Sequence, residues 1–275
     1  MRIWLAQTNP RIGNVNENIA DIQDVINCVA LEGERGLVVF PELSLTGYDL
    51  GSTWPDHVLT SEDISSRIIC PPHISAVIGF AEASPDGMFN SATIVGKPGK
   101  ALTQRKIYPI SYPPFNETTH FKRGNHMEYF PIDEFHASVL ICNDAWHPTL
   151  PYLAALKGAN LLIVPANSSE FGTNRAAWPT LIRYYATIYG TYVIFVNRVG
   201  SEGDWNFWGG SEVISPTGEQ LIKAGGTEEI CYVDISLEAV KSAREKLPIM
   251  REDDPIFAYR KIGEHISKLD IKRGR

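Results

Sequence analysis

No pair of cysteines in this sequence has Cys-x-x-Cys spacing; Cys28, Cys70, Cys142 and Cys231 lie far apart. Neither a redox dithiol nor a zinc ribbon is therefore suggested, and four cysteines in 275 residues are too few for a disulfide framework. The seven histidines show neither His-x-x-x-His nor His-Glu-x-x-His spacing, so no metal or other cofactor is called for. No apolar run reaches the roughly 18 residues that a spanning helix needs. Positive charge is in deficit, with 25 Lys and Arg against 32 Asp and Glu, which argues against a nucleic-acid footprint. There is no nucleotide-binding Gly-rich loop, no repeat, no low-complexity run and no evident linker. The opening Met1-Arg2-Ile3-Trp4-Leu5-Ala6-Gln7 reads as a strand and not as a signal peptide. A cytoplasmic protein without membrane or nucleic-acid partners is expected.

What is present alternates. Strand-like runs at 3–7, 37–40, 76–81, 91–96, 102–107, 137–141, 161–165, 192–196, 210–214 and 230–235 are separated by helical patterns. The helices fall at 16–34, where Ile19, Ile22, Val25, Ile26 and Ala30 share one face, and at 61–69 with Ser61 as cap. Further ones fall at 150–157, 178–189 and 237–245. Turns are read around Ser84-Pro85-Asp86-Gly87 and at Lys97-Pro98-Gly99-Lys100. So many strands fit poorly in one open sheet, which favours two packed sheets with helices outside. Residues 1–260 are read as one α/β domain, followed by a tail over 261–275. The stretch from Tyr108 to Asn125 is long but anchored by Tyr112 and Phe115, and long ordered loops usually serve function.

Three strands end in a reactive side chain: Val38-Val39-Phe40-Pro41-Glu42, Leu102-Thr103-Gln104-Arg105-Lys106 and Val139-Leu140-Ile141-Cys142. Strand ends in α/β sheets are where loops open a crevice for ligands. Taken singly, each residue has an ordinary reading: a buried structural thiol, a capping carboxylate, a solvated ammonium. Together they make coherent chemistry. A thiol needs a base before it attacks, and a lysine can stabilise the charge that then develops.

The contexts of these residues resemble the nitrilase, or carbon–nitrogen hydrolase, superfamily. Phe40-Pro41-Glu42-Leu43-Ser44-Leu45-Thr46-Gly47-Tyr48 is similar to its glutamate motif. Arg105-Lys106, then Glu117 and Phe121-Lys122-Arg123-Gly124-Asn125, is similar to its lysine motif, and Leu140-Ile141-Cys142-Asn143-Asp144 to its nucleophile motif. Val196-Asn197-Arg198-Val199-Gly200 and the segment 209–218 resemble its late strands. The resemblance implies a four-layer αββα sandwich in a homodimer. It implies Glu42 as general base, Cys142 as nucleophile and Lys106 with the Asn143 N–H as oxyanion donors. Glu117 would position Lys106 or the substrate. The reaction would pass through a thioester and release ammonia. Three positions depart from the common pattern: Asn143 stands where an aromatic or acidic residue is frequent, Tyr108 where many members have His, and Ala145-Trp146-His147-Pro148 lacks the usual acid.

Tyr48, Asn143, Trp146, Asn167, Ser168, Ser169 and Trp178 are candidates for the pocket by position in that pattern, with Arg175 a weaker one for a substrate carboxylate. The aromatic segment from Ser201 to Trp208 reads as a cover over the site, a subunit contact or local packing. The leading expectation is an amidase acting on a small amide or carbamoyl compound. A nitrilase using the same residues is an alternative. So is a glutamine-hydrolysing subunit that passes ammonia to a synthetase, because Ala6-Gln7-Thr8-Asn9-Pro10 with Gly13-Asn14 is similar to the glutaminase domain of glutamine-dependent NAD synthetases. A non-catalytic binding protein is the fourth reading.

Overall fold

A computed structural model of the chain describes residues 1–96 and 102–272; the expected turn at Lys97-Pro98-Gly99-Lys100 lies outside the described residues. The order is β1 (Arg2–Gln7), α1 (Val15–Ala30), β2 (Gly36–Val39), α2 (Ser61–Arg67), β3 (Ile74–Ser84), β4 (Gly87–Val95) and β5 (Leu102–Arg105). The second half runs β6 (Phe130–Ile132), β7 (Phe135–Val139), α3 (Thr149–Leu156), β8 (Leu161–Ala166), α4 (Asn174–Tyr189), β9 (Tyr192–Asn197), β10 (Val199–Glu202), β11 (Trp205–Trp208), β12 (Glu212–Ile214) and β13 (Gln220–Lys223). It closes with β14 (Glu229–Asp234), α5 (Leu237–Lys246), α6 (Ile249–Glu252) and α7 (Pro255–Lys272).

Two six-stranded sheets result, in the orders β14-β1-β2-β3-β4-β5 and β13-β12-β9-β8-β7-β6. Each has three parallel strands at its centre and antiparallel strands outside them. Side-chain alternation explains the layering. In β1, Ile3 and Leu5 join a core shared with Val139, Ile163 and Phe195 of the other sheet. Trp4 and Ala6 turn the other way, onto Ile19, Ile22 and Ile26 of α1. The far face of the second sheet is covered by α3 and α4 through Leu150, Ala154, Ile182 and Ala186. The result is the expected αββα sandwich. Each fully buried Leu, Ile or Phe contributes roughly 1.5–3 kcal/mol, and both faces of β1 are buried from Ile3 to Gln7.

The details sharpen several sequence expectations. The cap of α2 is Thr60, not Ser61: the Thr60 Oγ1 accepts from Asp63 N (3.1 Å) while the Asp63 carboxylate accepts from Thr60 N (2.8 Å). The segment Ser201 to Trp208 forms most of the β10–β11 hairpin. Short strands β6 and β13 were not foreseen, because three or four residues carry too little alternation to register. Residues 261 to 272, read as part of a tail, belong to helix α7. Among the described residues, no helix is long and apolar enough to cross a membrane.

Candidate active site

The Glu42 loop leaves β2 and crosses closely over β3. Only a glycine fits beneath it: a Cβ on Gly79 would lie 2.5 Å from the Leu43 N and the Pro41 O. Leu43, next along, is held at φ +48°. This crossing drives the Glu42 side chain between the sheets, where it is 1% exposed. Its Oε1 accepts from the Lys106 Nζ (2.7 Å) and the Asn90 Nδ2 (2.8 Å), and its Oε2 accepts from the Asn167 N–H (2.8 Å).

Lys106 follows β5 directly, anchored by its own N–H to the Asn90 O (2.8 Å) and by its C=O to the Gly124 N–H (2.7 Å). Its ammonium, fully buried, also donates to Glu117 at 2.8 Å. Glu117 opens a short helical turn inside the long loop and accepts further from the Tyr48 hydroxyl (2.8 Å) and the Ile110 N–H (3.0 Å). Burial opposes charge on Lys106, but the Glu117 and Glu42 carboxylates outweigh it and hold the ammonium protonated beyond its ordinary range. Burial raises Glu117, with Lys106 pulling down and Glu42 pushing up. Burial also lifts Tyr48 well above its usual value, helped by Glu117 and Glu42, so its hydroxyl remains a donor.

Cys142 stands at the end of the second sheet's strand β7, on a tight turn with φ +46°. Such a conformation costs a non-glycine residue about 1–3 kcal/mol and persists only where the surroundings impose it. Those surroundings are supplied by Asp144. Its carboxylate accepts the N–H groups of Ile107 (3.0 Å), Tyr108 (2.8 Å) and Ile141 (3.2 Å), so it ties the turn to the residues just after Lys106. Burial pushes Asp144 up to about 7 against the pull of Lys106 and these donors. The Cys142 thiol is raised well above its ordinary value, by burial first and then by Glu42 and Glu117, while Lys106 and the Asn167 N–H pull it down. Burial and the two carboxyl groups therefore favour a neutral thiol at rest.

The thiol opens into a cavity of about 340 Å³. Asn143, Trp146, Asn167, Ser168 and Trp178 all line it, with Ser169, Tyr112, Phe115 and Phe171. Tyr48 does not; its ring lies behind Glu117, beside a smaller cavity of about 120 Å³. Asn143 gives its amide to the Tyr108 O (2.9 Å), and the Ser168 Oγ accepts from the Trp178 Nε1 (2.8 Å) and the Asn174 Nδ2 (3.3 Å). Both polar groups thus hold the walls in place. Arg175 lies outside the lining, exposed and paired with Glu170 at 2.5 Å. The β10–β11 hairpin packs against the site from outside: Trp205 stacks on Phe115 at 4.9 Å. Its buried Glu202 accepts from the Tyr48 N (2.9 Å) and Asp49 N (3.0 Å) and pairs with buried Arg198.

Asp144 and Asn90 were not singled out from the sequence. Asp144 had a signal, an acid two residues after a thiol at a strand end; Asn90 had none, since its part depends on the register of β4. All four cysteines are free, and among the described residues no group of His, Cys, Asp and Glu is placed to hold a metal ion.

A family model described as carbon-nitrogen hydrolase matches residues 2–245. The chain belongs to the carbon–nitrogen hydrolase family. An (R)-stereoselective amidase of Pseudomonas is 28% identical over 267 residues, covering 92% of this chain and 91% of that protein. A glutamine-dependent NAD(+) synthetase of Thermotoga maritima is 29% identical over 253 residues, which is 86% of this chain but 42% of the synthetase. The chain thus spans less than half of that relative. Among solved structures, the carbon-nitrogen hydrolase from Helicobacter pylori G27 superposes with a TM-score of 0.79 at 26% identity, over 95% of this chain and 98% of that one.

Proposed function

We propose that this carbon–nitrogen hydrolase cleaves a small-molecule amide through a thioester on Cys142. The carrying observation is the buried chain Glu42–Lys106–Glu117, held by hydrogen bonds of 2.7 and 2.8 Å beside a neutral thiol at the floor of a cavity. Glu42 takes the thiol proton as sulfur attacks the amide carbon. The oxyanion is stabilised by the Lys106 ammonium and the Asn143 N–H, where a buried charge acts with little screening. Glu42 returns the proton to the leaving nitrogen, the carbon–nitrogen bond breaks, and ammonia departs. Water, deprotonated by Glu42, then attacks the thioester and releases the acid with the thiol restored.

Glu117 in this reading is a positioning residue. It keeps Lys106 charged and fixed, and Tyr48 in turn fixes Glu117. The test is ammonia release from a panel of amides, carbamoyl compounds, nitriles and glutamine. Release that disappears in Cys142→Ala, with an acyl adduct on Cys142 seen by intact-mass spectrometry, is the expected result. Undiminished release from that variant would overturn the assignment. A homodimer is proposed on the family resemblance alone, and light scattering of the purified protein tests it.

A further inference from the structure

The cavity above Cys142 is notable for its charge. Among the described residues that line it there is no Lys, Arg, His, Asp or Glu side chain. Lys106 is held by Glu42 and Glu117, and Arg175 sits outside in an exposed pair with Glu170. A substrate carboxylate or ammonium bound here would lose its water without gaining a counter-charge, which is strongly unfavourable.

The same walls hold polar atoms that lack partners. Both the Nδ2 and the Oδ1 of Asn167 and the Oγ of Ser169 are buried and make no hydrogen bond among the described residues. Asn167 is 3% exposed and Ser169 1%. Buried polar groups are normally satisfied, so an open donor and acceptor on one amide mark a place that a ligand completes. Their neighbours Ser168, Asn174 and Asn143 already bond within the wall. Around them stand Trp146, Phe171, Tyr112 and Phe115, which suit an aromatic or bulky apolar group.

Resting on the thioester reading above, we propose that the site selects uncharged amides. Their acyl group carries an aromatic or bulky apolar part and a neutral group that both donates and accepts hydrogen bonds, held by Asn167 and Ser169. Acyl groups with a free carboxylate or ammonium, glutamine and the monoamides of dicarboxylic acids among them, are rejected.

A matched pair tests this. The diamide and the monoamide of β-phenylglutaric acid differ only in a terminal carboxamide against a carboxylate. Their binding to the Cys142→Ala protein is measured by calorimetry, and their turnover with the unaltered protein. The expected result is a diamide preference of about tenfold or more in both Kd and kcat/KM. Asn167→Ala, which keeps the backbone N–H to Glu42, and the milder Ser169→Ala should each weaken diamide binding about five- to tenfold. Equal or tighter binding of the monoamide, or no binding of the diamide, would overturn the selectivity. Absent turnover of both compounds alongside a preserved binding preference would overturn the thioester reading and leave the selectivity standing.

Discussion

Two surfaces meet at Cys142, and they handle polarity in opposite ways. On the inner side, Glu42, Lys106 and Glu117 are ionisable groups out of water, and each has partners at 2.7–3.0 Å. On the outer side, the cavity wall carries no ionisable Lys, Arg, His, Asp or Glu among the described residues, and there Asn167 and Ser169 keep buried polar atoms with no partner. The inner side is held by shared partners: the Lys106 Nζ donates to both Glu42 and Glu117. The outer side retains unfilled hydrogen-bonding capacity, which a ligand can use. The contrast teaches that adjacent layers can share one backbone segment and still differ in satisfaction: the Asn167 N–H donates to Glu42, while both polar atoms of its side chain have no partner among the described residues.

The contrast can be broken most severely at Lys106. Lys106→Ala removes the counter-charge of two buried carboxylates, so the melting temperature should drop with a loss of about 3–5 kcal/mol. If the ammonium acts on the transition state as proposed, steady-state kinetics should show kcat reduced about 100- to 1,000-fold, more than KM changes. A variant with normal kcat would remove Lys106 from the oxyanion role. Next comes Asp144→Asn, whose amide would meet N–H groups where a carboxylate accepts three of them; kcat should drop on the order of 100-fold as the Cys142 turn shifts.

Gly79→Ala should act on the backbone beneath Glu42. Denaturant unfolding is expected to report a loss of about 1–3 kcal/mol, with activity falling in step. A smaller effect concerns proton affinity. The Cys142 thiol, raised above its ordinary value of 9.0, is protonated at neutral pH, so alkylation by iodoacetamide should keep rising through pH 9 without an earlier plateau. A plateau near neutrality would reveal a resting thiolate and remove the need for Glu42 as base. The smallest effect sharpens the neutral side: Arg175→Ala, outside the cavity, should leave kcat/KM for neutral amides within about twofold, in line with an exposed ion pair.

The three strand ends were legible because strand, turn and reactive residue are contiguous in sequence: Glu42 after β2, Lys106 after β5, Cys142 after β7. Layering was legible for the same local reason, since the periodicity of α1 and the buried runs of β1 and β2 announce their faces. What sequence could not resolve was the state of each polar atom. Ser168 and Ser169 are adjacent and alike, yet one hydroxyl is fixed by the Trp178 indole from α4 and the other is unpartnered. Tyr48 sits in a motif beside Glu42, but its ring falls behind Glu117 because the loop turns at Gly47, φ +79°. These outcomes depend on contacts between separate segments, 10 residues apart for Ser168 and Trp178 and 69 for Tyr48 and Glu117, which local pattern does not encode.

The pairing of β1 with β14 has a consequence for biosynthesis. The first strand of the chain finds its outer neighbour only when residues 229–234 have been made, with register Arg2 to Asp234 through Gln7 to Glu229. Until then one edge of the first sheet is open, although Glu42, Lys106 and Cys142 have all emerged. The first sheet is thus completed only after every strand of the second has been made.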